Sequence, residues 1–423
     1  MSESVVEKFR PLFEPKAIAV IGASTRGDAL PNVFIRRLRQ HGFAGAIYPI
    51  HPAAKEIEDF PAYRSLADTP QPVDYAYIAI AAAQVPLLLR EARGRVRYAQ
   101  VISSGFGEVD EGRGLQEELV AAARAGGMRL LGPNCMGLYS PRGRVTFADV
   151  GALETGHVGV ISQSGGLATD IIRRGLNRGL KYSALVSAGN CADVGAADLL
   201  EFYLADPQTN VIGLYIESAR DGRRLFEALR AARAAHVDKP VVILKGGRTE
   251  QGRAAAVSHT GALAGDDRAW VALARQTGSV MAETLDEFVN TMLIFQTLKP
   301  QPRHPTRRAV LFGNGGGASV LATDSFARLG LEVRPFDATT QARLAALKLP
   351  PGTSITNPVD TPVGTLRQEE GGVAEKILEA IYADGEAEVL VMHLNLSVLV
   401  GRASDAVLDN LVQAALRVQA RHP

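Results

Sequence analysis

Three groupings in the chain have residue types and spacing suited to group transfer. His259 stands in Ala256-Val257-Ser258-His259-Thr260-Gly261-Ala262-Leu263-Ala264-Gly265, and of eight histidines it alone lies between hydroxyl residues, beside glycines, in an otherwise apolar run. Glu217, in Tyr215-Ile216-Glu217-Ser218, falls at the carboxyl end of a predicted strand. There its carboxylate can accept one imidazole N–H, fixing the tautomer and leaving the other nitrogen as a nucleophile. The third grouping, Ile161-Ser162-Gln163-Ser164-Gly165-Gly166-Leu167, joins a strand to an amphipathic helix. Hydroxyls and glycines at a helix start suit an anion, because free amides and the helix dipole both favour negative charge. A nucleophilic nitrogen beside a phosphate seat points to a phosphohistidine. Two readings compete: a purely structural histidine, and Ser164 as an esterase nucleophile, although QSGG is not the GxSxG elbow.

Glycine-containing turns also follow the apolar runs of the first third. Val20-Ile21-Gly22-Ala23-Ser24-Thr25 lies between a predicted strand and the helix expected from Pro31 to His41. It lacks GxGxxG spacing, and His51-Pro52 stands after the second strand where a nicotinamide dinucleotide site places an acidic ribose ligand. Coenzyme A, an adenine nucleotide without that requirement, is the natural ligand, with a bare tight turn as the alternative. Ser103-Ser104-Gly105-Phe106-Gly107 and Gly132-Pro133-Asn134-Cys135-Met136-Gly137 fall at further strand ends, where open parallel sheets bind ligands. Cys135 has no adjacent base or cation and reads as a packing residue.

The elements that must position these loops alternate throughout. KAIAVIGAS, AGAIYPI, VDYAYIAIA, YAQVISSG and MRLLG are separated by helical patterns at Gln84 to Arg93 and Leu115 to Ala125. Such alternation predicts parallel sheets covered by helices on both faces. The pattern restarts at GHVGVISQSGG and runs through KYSALVSAGN, NVIGLYIES, KPVVILKGG and a short strand near Ser279 to Met281. KPQPRHPTRR then breaks both helix and strand, and a third unit opens with AVLFGNGGGASVLATD, continuing through LEVRPF and AEVLVMHLN. The expected domains are 1–141, 150–298 and 308–423, joined by a linker at 299–307. The last helical pattern, Ala403 to Gln419, has no strand after it, so the chain reads as cut from a longer polypeptide.

Composition limits the function. In 423 residues, 46 Lys and Arg stand against 45 Asp and Glu, which leaves no basic excess for nucleic acid or an anionic membrane surface. Two cysteines exclude a disulfide framework and have no metal-site spacing, which fits a reducing cytoplasm. The N-terminus is too charged for a secretory signal, and no apolar run approaches the ~20 residues of a membrane span.

Ten motifs, AVIGAS, SSGFGE, GPNCMG, GVISQSGGL, SAGN, ADLLEF, YIES, LKGGR, SHTGALAG and ITNPVD, occur in the order found in NDP-forming acyl-CoA synthetases, relatives of the succinyl-CoA synthetase α subunit. The chain resembles that family across all three units. The resemblance implies an α/β chain with an N-terminal Rossmann-like CoA-binding domain and two flavodoxin-like doubly wound parallel-sheet domains. It implies that His259 is phosphorylated, that Glu217 steadies it, and that Ser164, Gly165 and Gly166 seat the phosphate. CoA contacts fall on Gly22, Ala23, Ser24, Thr25, Pro49, Lys55, Ser104, Gly105 and Asn134. The family commonly has Asn-Pro where this chain has His51-Pro52, a Val-Pro pair where it has Ile80-Ala81-Ala82, and a small or acidic residue at Cys191.

The implied reaction interconverts acyl-CoA, phosphate and ADP with carboxylic acid, CoA and ATP, by way of an acyl phosphate and a phosphohistidine. No nucleotide site is legible, so ADP or ATP with Mg²⁺ is expected on an ATP-grasp β subunit or fused C-terminal domain, in an oligomeric assembly without nucleic acid or membrane. Alternatives are the acyl-CoA-sensing region of a fused protein lysine acetyltransferase and a non-catalytic CoA-binding scaffold.

Overall fold

The computed structural model describes residues 3–260, 266–299, 305–383, 388–396 and 406–422, with residues 257–260 described through their helical backbone only. The chain divides into two compact units, residues 1–300 and 301–423.

The first unit is built on two sheets. The N-terminal one is parallel, with strands β1 (Ala17–Ile21), β2 (Ala46–Ile50), β5 (Val73–Ile78), β6 (Val96–Val101) and β7 (Arg129–Leu131) in the order β2-β1-β5-β6-β7. A short antiparallel pair, β3 (Glu56–Ile57) and β4 (Phe60–Pro61), follows β2. All five residues of β1 are buried, as expected of a strand covered on both faces. Pro49 is tolerated in β2 because that strand is at the edge, where a missing N–H breaks no ladder.

The second sheet runs β13-β12-β11-β9-β10-β8, with β8 (Gly137–Tyr139), β9 (Val158–Ser162), β10 (Tyr182–Ser187), β11 (Val211–Ile216), β12 (Val241–Lys245) and β13 (Val280–Ala282). Only β8 is antiparallel, pairing Leu185 with Tyr139. The chain thus crosses to the second sheet before Pro141, the expected end of the first domain. Helix Val5–Phe13 packs on helix Ala196–Ala205, with the Phe13 and Phe202 rings stacked at 4.1 Å. One apolar cluster takes in Ile18 and Tyr75 from the first sheet and Ile161 and Val186 from the second, so the two halves share a core.

The second unit has a three-stranded parallel sheet, β15-β14-β16, formed by β14 (Ala309–Asn314), β15 (Val359–Asp360) and β16 (Val389–Leu394). Its core packs Phe312, Leu344, Ile377, Ile381 and Leu411. LEVRPF, expected as a strand, makes only an isolated bridge between Arg308 and Glu332. Pro335 lacks the donor needed to extend it, and β15 takes the edge position beside β14. The Asn357-Pro358-Val359-Asp360 turn has a clear local role. Asn357 accepts from Leu311 N at 3.1 Å and donates to Ala309 O at 2.8 Å, prolonging the β15 pairing through its side chain. Asp360 accepts from Gly315 N at 2.7 Å.

Candidate functional site

The loops after β2, β1, β5, β6 and β7 stand in a row at the carboxyl edge of the first sheet, since Ile50, Ile21, Ile78 and Val101 are register neighbours. The chain reverses its direction of winding between β1 and β5, which creates the crevice where such sheets take ligands. Gly22 sits there with φ +97°, and a Cβ on it would meet Ala79 O at 2.2 Å. The glycine is therefore required by the protein's own backbone. Ser24 is held by Asn32, which accepts from its amide at 2.8 Å and donates to its carbonyl at 2.9 Å. Ala23 is buried and Thr25 exposed. His51 Nδ1 accepts from the amides of Ala53 and Ala54 at 3.2 and 2.8 Å, the local capping an asparagine side chain performs.

Lys55 and Ser104 are exposed beside these turns. Pro49 is buried in β2, and the Gly105 N–H donates to Glu108 Oε1 at 2.5 Å, so both positions are engaged within the protein. Asn134 adopts φ +55°, and its amide bonds Ser103 O at 3.1 Å, coupling the loops after β6 and β7.

In the second sheet, Ser164 caps helix Gly165–Asn177 by accepting from Leu167 N at 3.3 Å. Gln163, one residue earlier, reaches across to β11. Its Oε1 accepts from the amides of Glu217 and Ser218 at 2.6 and 3.0 Å, and its Nε2 donates to Ser218 O at 2.7 Å. The buried Glu217 carboxylate accepts from the Tyr215 hydroxyl at 2.9 Å. Burial, and then the neighbouring carboxylate, raise the pKa of Tyr215, so it remains a donor.

Lys245, buried at the end of β12, donates to Glu217 O at 2.8 Å and to Gly246 O, with its ammonium 5.9 Å from the Trp270 ring centre. Burial lowers its pKa. After β12 the chain enters helix Glu250–Thr260, and the backbone of His259 lies in its last turn. The His259 side chain falls outside the described residues.

The two halves meet along a polar seam. Asn190 Nδ2 donates to Glu108 Oε2 at 2.5 Å and to Gln116 Oε1 at 3.0 Å, while Asn190 N bonds Pro133 O at 3.0 Å. Partial burial opposes ionisation of Glu108, but hydrogen bonds from Asn190 and from the amides of Gly105 and Phe106 outweigh it and hold the carboxyl below its ordinary pKa.

The seam encloses a cavity of about 270 Å³, bounded on the first-sheet side by Ile102, Gly107, Asn134, Cys135 and Met136. Gln163 to Gly166, Gly189, Asn190, Ser218 and Arg220 bound it on the other. Gly165 is required by Met136, whose Cγ would lie 2.6 Å from a Cβ there, while Gly166 faces open space. Cys135 is buried and Cys191 half-buried; desolvation pushes Cys135 up to about 12 and Cys191 to about 11, with a Gln163 hydrogen bond opposing the rise at Cys191. That matches the packing role expected for Cys135.

Of the expected site residues, Ser164, Gly165, Gly166 and Asn134 share this cavity, and Glu217 stands directly behind Gln163 and Ser218. Gly22 to Thr25, Lys55 and Ser104 lie along the first-sheet loops outside its lining. Sequence reasoning missed Gln163, Asn190, Arg220 and Lys245 as individual residues. Three of them belong to motifs named above (SQSGG, SAGN, LKGGR), and Arg220 to none. Among the described residues, no group of three or more His, Cys, Asp or Glu side chains is placed to hold a metal. No described helix is long and apolar enough to cross a membrane.

Comparison with known proteins agrees with this architecture. Residues 16–141 match a CoA binding domain and residues 155–295 a succinyl-CoA ligase like flavodoxin domain. The chain is 37% identical over 375 residues to the α subunit of ADP-forming acetate–CoA ligase I of Pyrococcus furiosus, covering 86% of this chain and 79% of that one. It is 35% identical over 381 residues to a trans-feruloyl-CoA synthase from an unknown prokaryotic organism, covering 88% of this chain and 53% of that protein. An acetyl-coenzyme A synthetase from Ca. Korarchaeum cryptofilum, solved with phosphate and ADP, superposes with a TM-score of 0.77 at 30% identity, over 98% of this chain and 97% of the other. With both sheets, their connecting seam and the two domain matches in agreement, the chain belongs to the NDP-forming acyl-CoA synthetase family, as the α portion related to the succinyl-CoA synthetase α subunit.

Proposed function

We propose that the chain is the acid–thiol ligase portion of an NDP-forming acyl-CoA synthetase and that its chemistry passes through phosphorylated His259. The observation that carries this reading is Glu217. Its carboxylate is buried and oriented by Tyr215, and its backbone amide is held by the side chain of Gln163, the residue before Ser164. A buried carboxylate with a fixed orientation can accept an imidazole N–H and leave the opposite nitrogen nucleophilic.

In this reading residues 1–141 hold CoA along the row of first-sheet loops. Exposed Thr25, Lys55 and Ser104, with Ser24 pinned by Asn32, fit an anionic nucleotide there. Residues 150–298 carry the phosphoryl chemistry, 299–307 link, and 308–423 form the second ligase domain. A phosphate oxygen attacks the thioester carbonyl, the C–S bond breaks, and the CoA thiolate takes a proton. The His259 nitrogen then attacks phosphorus, breaking the P–O bond to the acyl carboxylate and releasing the carboxylic acid. Ser164, Gly165 and Gly166 seat the phosphoryl group at the helix N-terminus, where amides and dipole favour it.

Transfer to ADP, with its Mg²⁺, belongs to an ATP-grasp β subunit or fused domain, in a cytoplasmic oligomer. The test is acid-labile, base-stable label entering the chain from acyl-CoA and labelled phosphate, with the ATP-grasp partner present. Label in the parent and none in His259→Ala is expected. Equal label in both would refute the assignment.

A further inference from the structure

We infer that Arg220 is the positioning residue that receives the substrate anion, the carboxylate substrate carried as its acyl phosphate, in the cavity between the two sheets; this rests on the function proposed above. Among the described residues lining that cavity, Arg220 is the sole charged side chain and no carboxylate is present. Arg220 makes no ion pair with any described residue, unlike nearby Arg224, which is held by Asp198 and Glu201 at 3.0 and 2.6 Å. The start of helix Gly165–Asn177 lines the same cavity, as do the neutral polar side chains of Asn134 and Asn190.

A cavity lined by an exposed guanidinium without an ion-pair partner among the described residues and by a helix N-terminus, with no carboxylate in its lining, has the electrostatics of an anion receptor. An acyl phosphate is a dianion with two oxygen-rich ends. Its charge lies on the phosphoryl oxygens, which the helix start suits, and the guanidinium can donate one N–H to a phosphoryl oxygen and another to the acyl carbonyl oxygen. Ile102 and Met136 give the same cavity an apolar side for the acyl chain.

The experiment is steady-state kinetics of the chain assembled with its ATP-grasp partner, using inorganic phosphate and the carboxylic acid as separately varied probes. Arg220→Gln is expected to raise KM for both at least tenfold while KM for CoA stays within twofold, and Arg220→Lys is expected to recover at least half of the lost affinity on a logarithmic scale. Phosphate and acid KM values within twofold of the parent would overturn the inference. So would a parallel rise in KM for CoA, or a lysine variant no better than glutamine, either of which would mark a structural role. Label transfer from nucleoside triphosphate to His259 in the parent is measured on the same preparation. Its absence would refute the parent function, whereas normal labelling with unchanged anion KM would refute Arg220 alone.

Discussion

The seam between the sheets depends on one glycine. Gly189 has φ +55°, and a Cβ on it would lie 2.3 Å from the carbonyl oxygens of both Asn134 and Pro133. Alanine there meets two separate costs. The left-handed backbone costs roughly 1–2 kcal/mol, and forcing backbone apart in a packed region costs roughly 1–3 kcal/mol more. The sum is a loss of roughly 2–5 kcal/mol. Gly179 isolates the first term, since it has φ +85° and a Cβ on it would meet nothing within 4 Å. Gly179→Ala should therefore lose only roughly 1–2 kcal/mol.

The assay is urea denaturation followed by the fluorescence of Trp270, the single tryptophan, which is buried in the core around the second sheet. Gly189→Ala should shift the midpoint well below that of Gly179→Ala. It should also weaken phosphate and CoA use together, because Asn134 and Asn190 on either side are displaced. Equal midpoints for the two variants would refute the reasoning: the halves would then separate without strain, and the seam would not hold the cavity in shape.

Other consequences are open to direct measurement. Glu217→Gln should slow histidine labelling at least tenfold with KM for CoA unchanged, and a rate equal to the parent would make the carboxylate structural only. Because the Glu108 pKa is held below its ordinary value in the folded state, its contribution is present above the unfolded pKa of ~4.3 and lost as pH falls below it. Glu108→Gln should flatten that acid limb, and an unchanged stability profile between pH 3 and 6 would contradict it. The buried Cys135 thiol should resist alkylation at pH 8 in the native chain and react on unfolding, which mass spectrometry of the modified protein reads directly. Asn357→Ala leaves Leu311 N–H and Ala309 C=O without their partner and should cost the second unit roughly 2–6 kcal/mol at about 1–3 kcal/mol per group, read as early proteolysis of residues 308–423.

The alternation of β-branched runs with helical patterns made the parallel strands of the first two sheets legible, because strands buried on two faces must be apolar throughout, while the antiparallel β8 was not foreseen. The strand-to-helix turn at Ser164 to Gly166 was legible too, because a hydroxyl residue is a preferred helix N-cap, the role Ser164 plays. What escaped the sequence were contacts closed by tertiary structure. Gly22 reads as a ligand turn, yet its glycine answers to Ala79 O. The amide of Gly105 reads as available to a ligand, yet Glu108, three residues on, takes it. LEVRPF has strand composition but sits where Pro335 and the pairing of β15 with β14 leave it one bridge. Arg220 stands outside every motif because what makes it notable is the cavity it lines, whose walls come from both sheets, which no spacing rule can express.

Gln163 ties the proposed phosphate loop to the segment that carries the Glu217 carboxylate. Its amide makes three hydrogen bonds to the backbone of Glu217 and Ser218 and a longer one to Cys191 Sγ at 3.8 Å, so it is tied to the residues that follow β11. Ser164, the next residue, opens helix Gly165–Asn177. Any shift of the phosphate seat therefore drags the backbone that carries Glu217, and a change at either end is felt at the other. Glutamate at this position would place a charge beside Glu217 and lose the donor to Ser218 O, so Gln163→Glu should impair labelling more than Gln163→Ala, despite its closer shape. The reverse order would mean that the loop and the carboxylate are positioned independently.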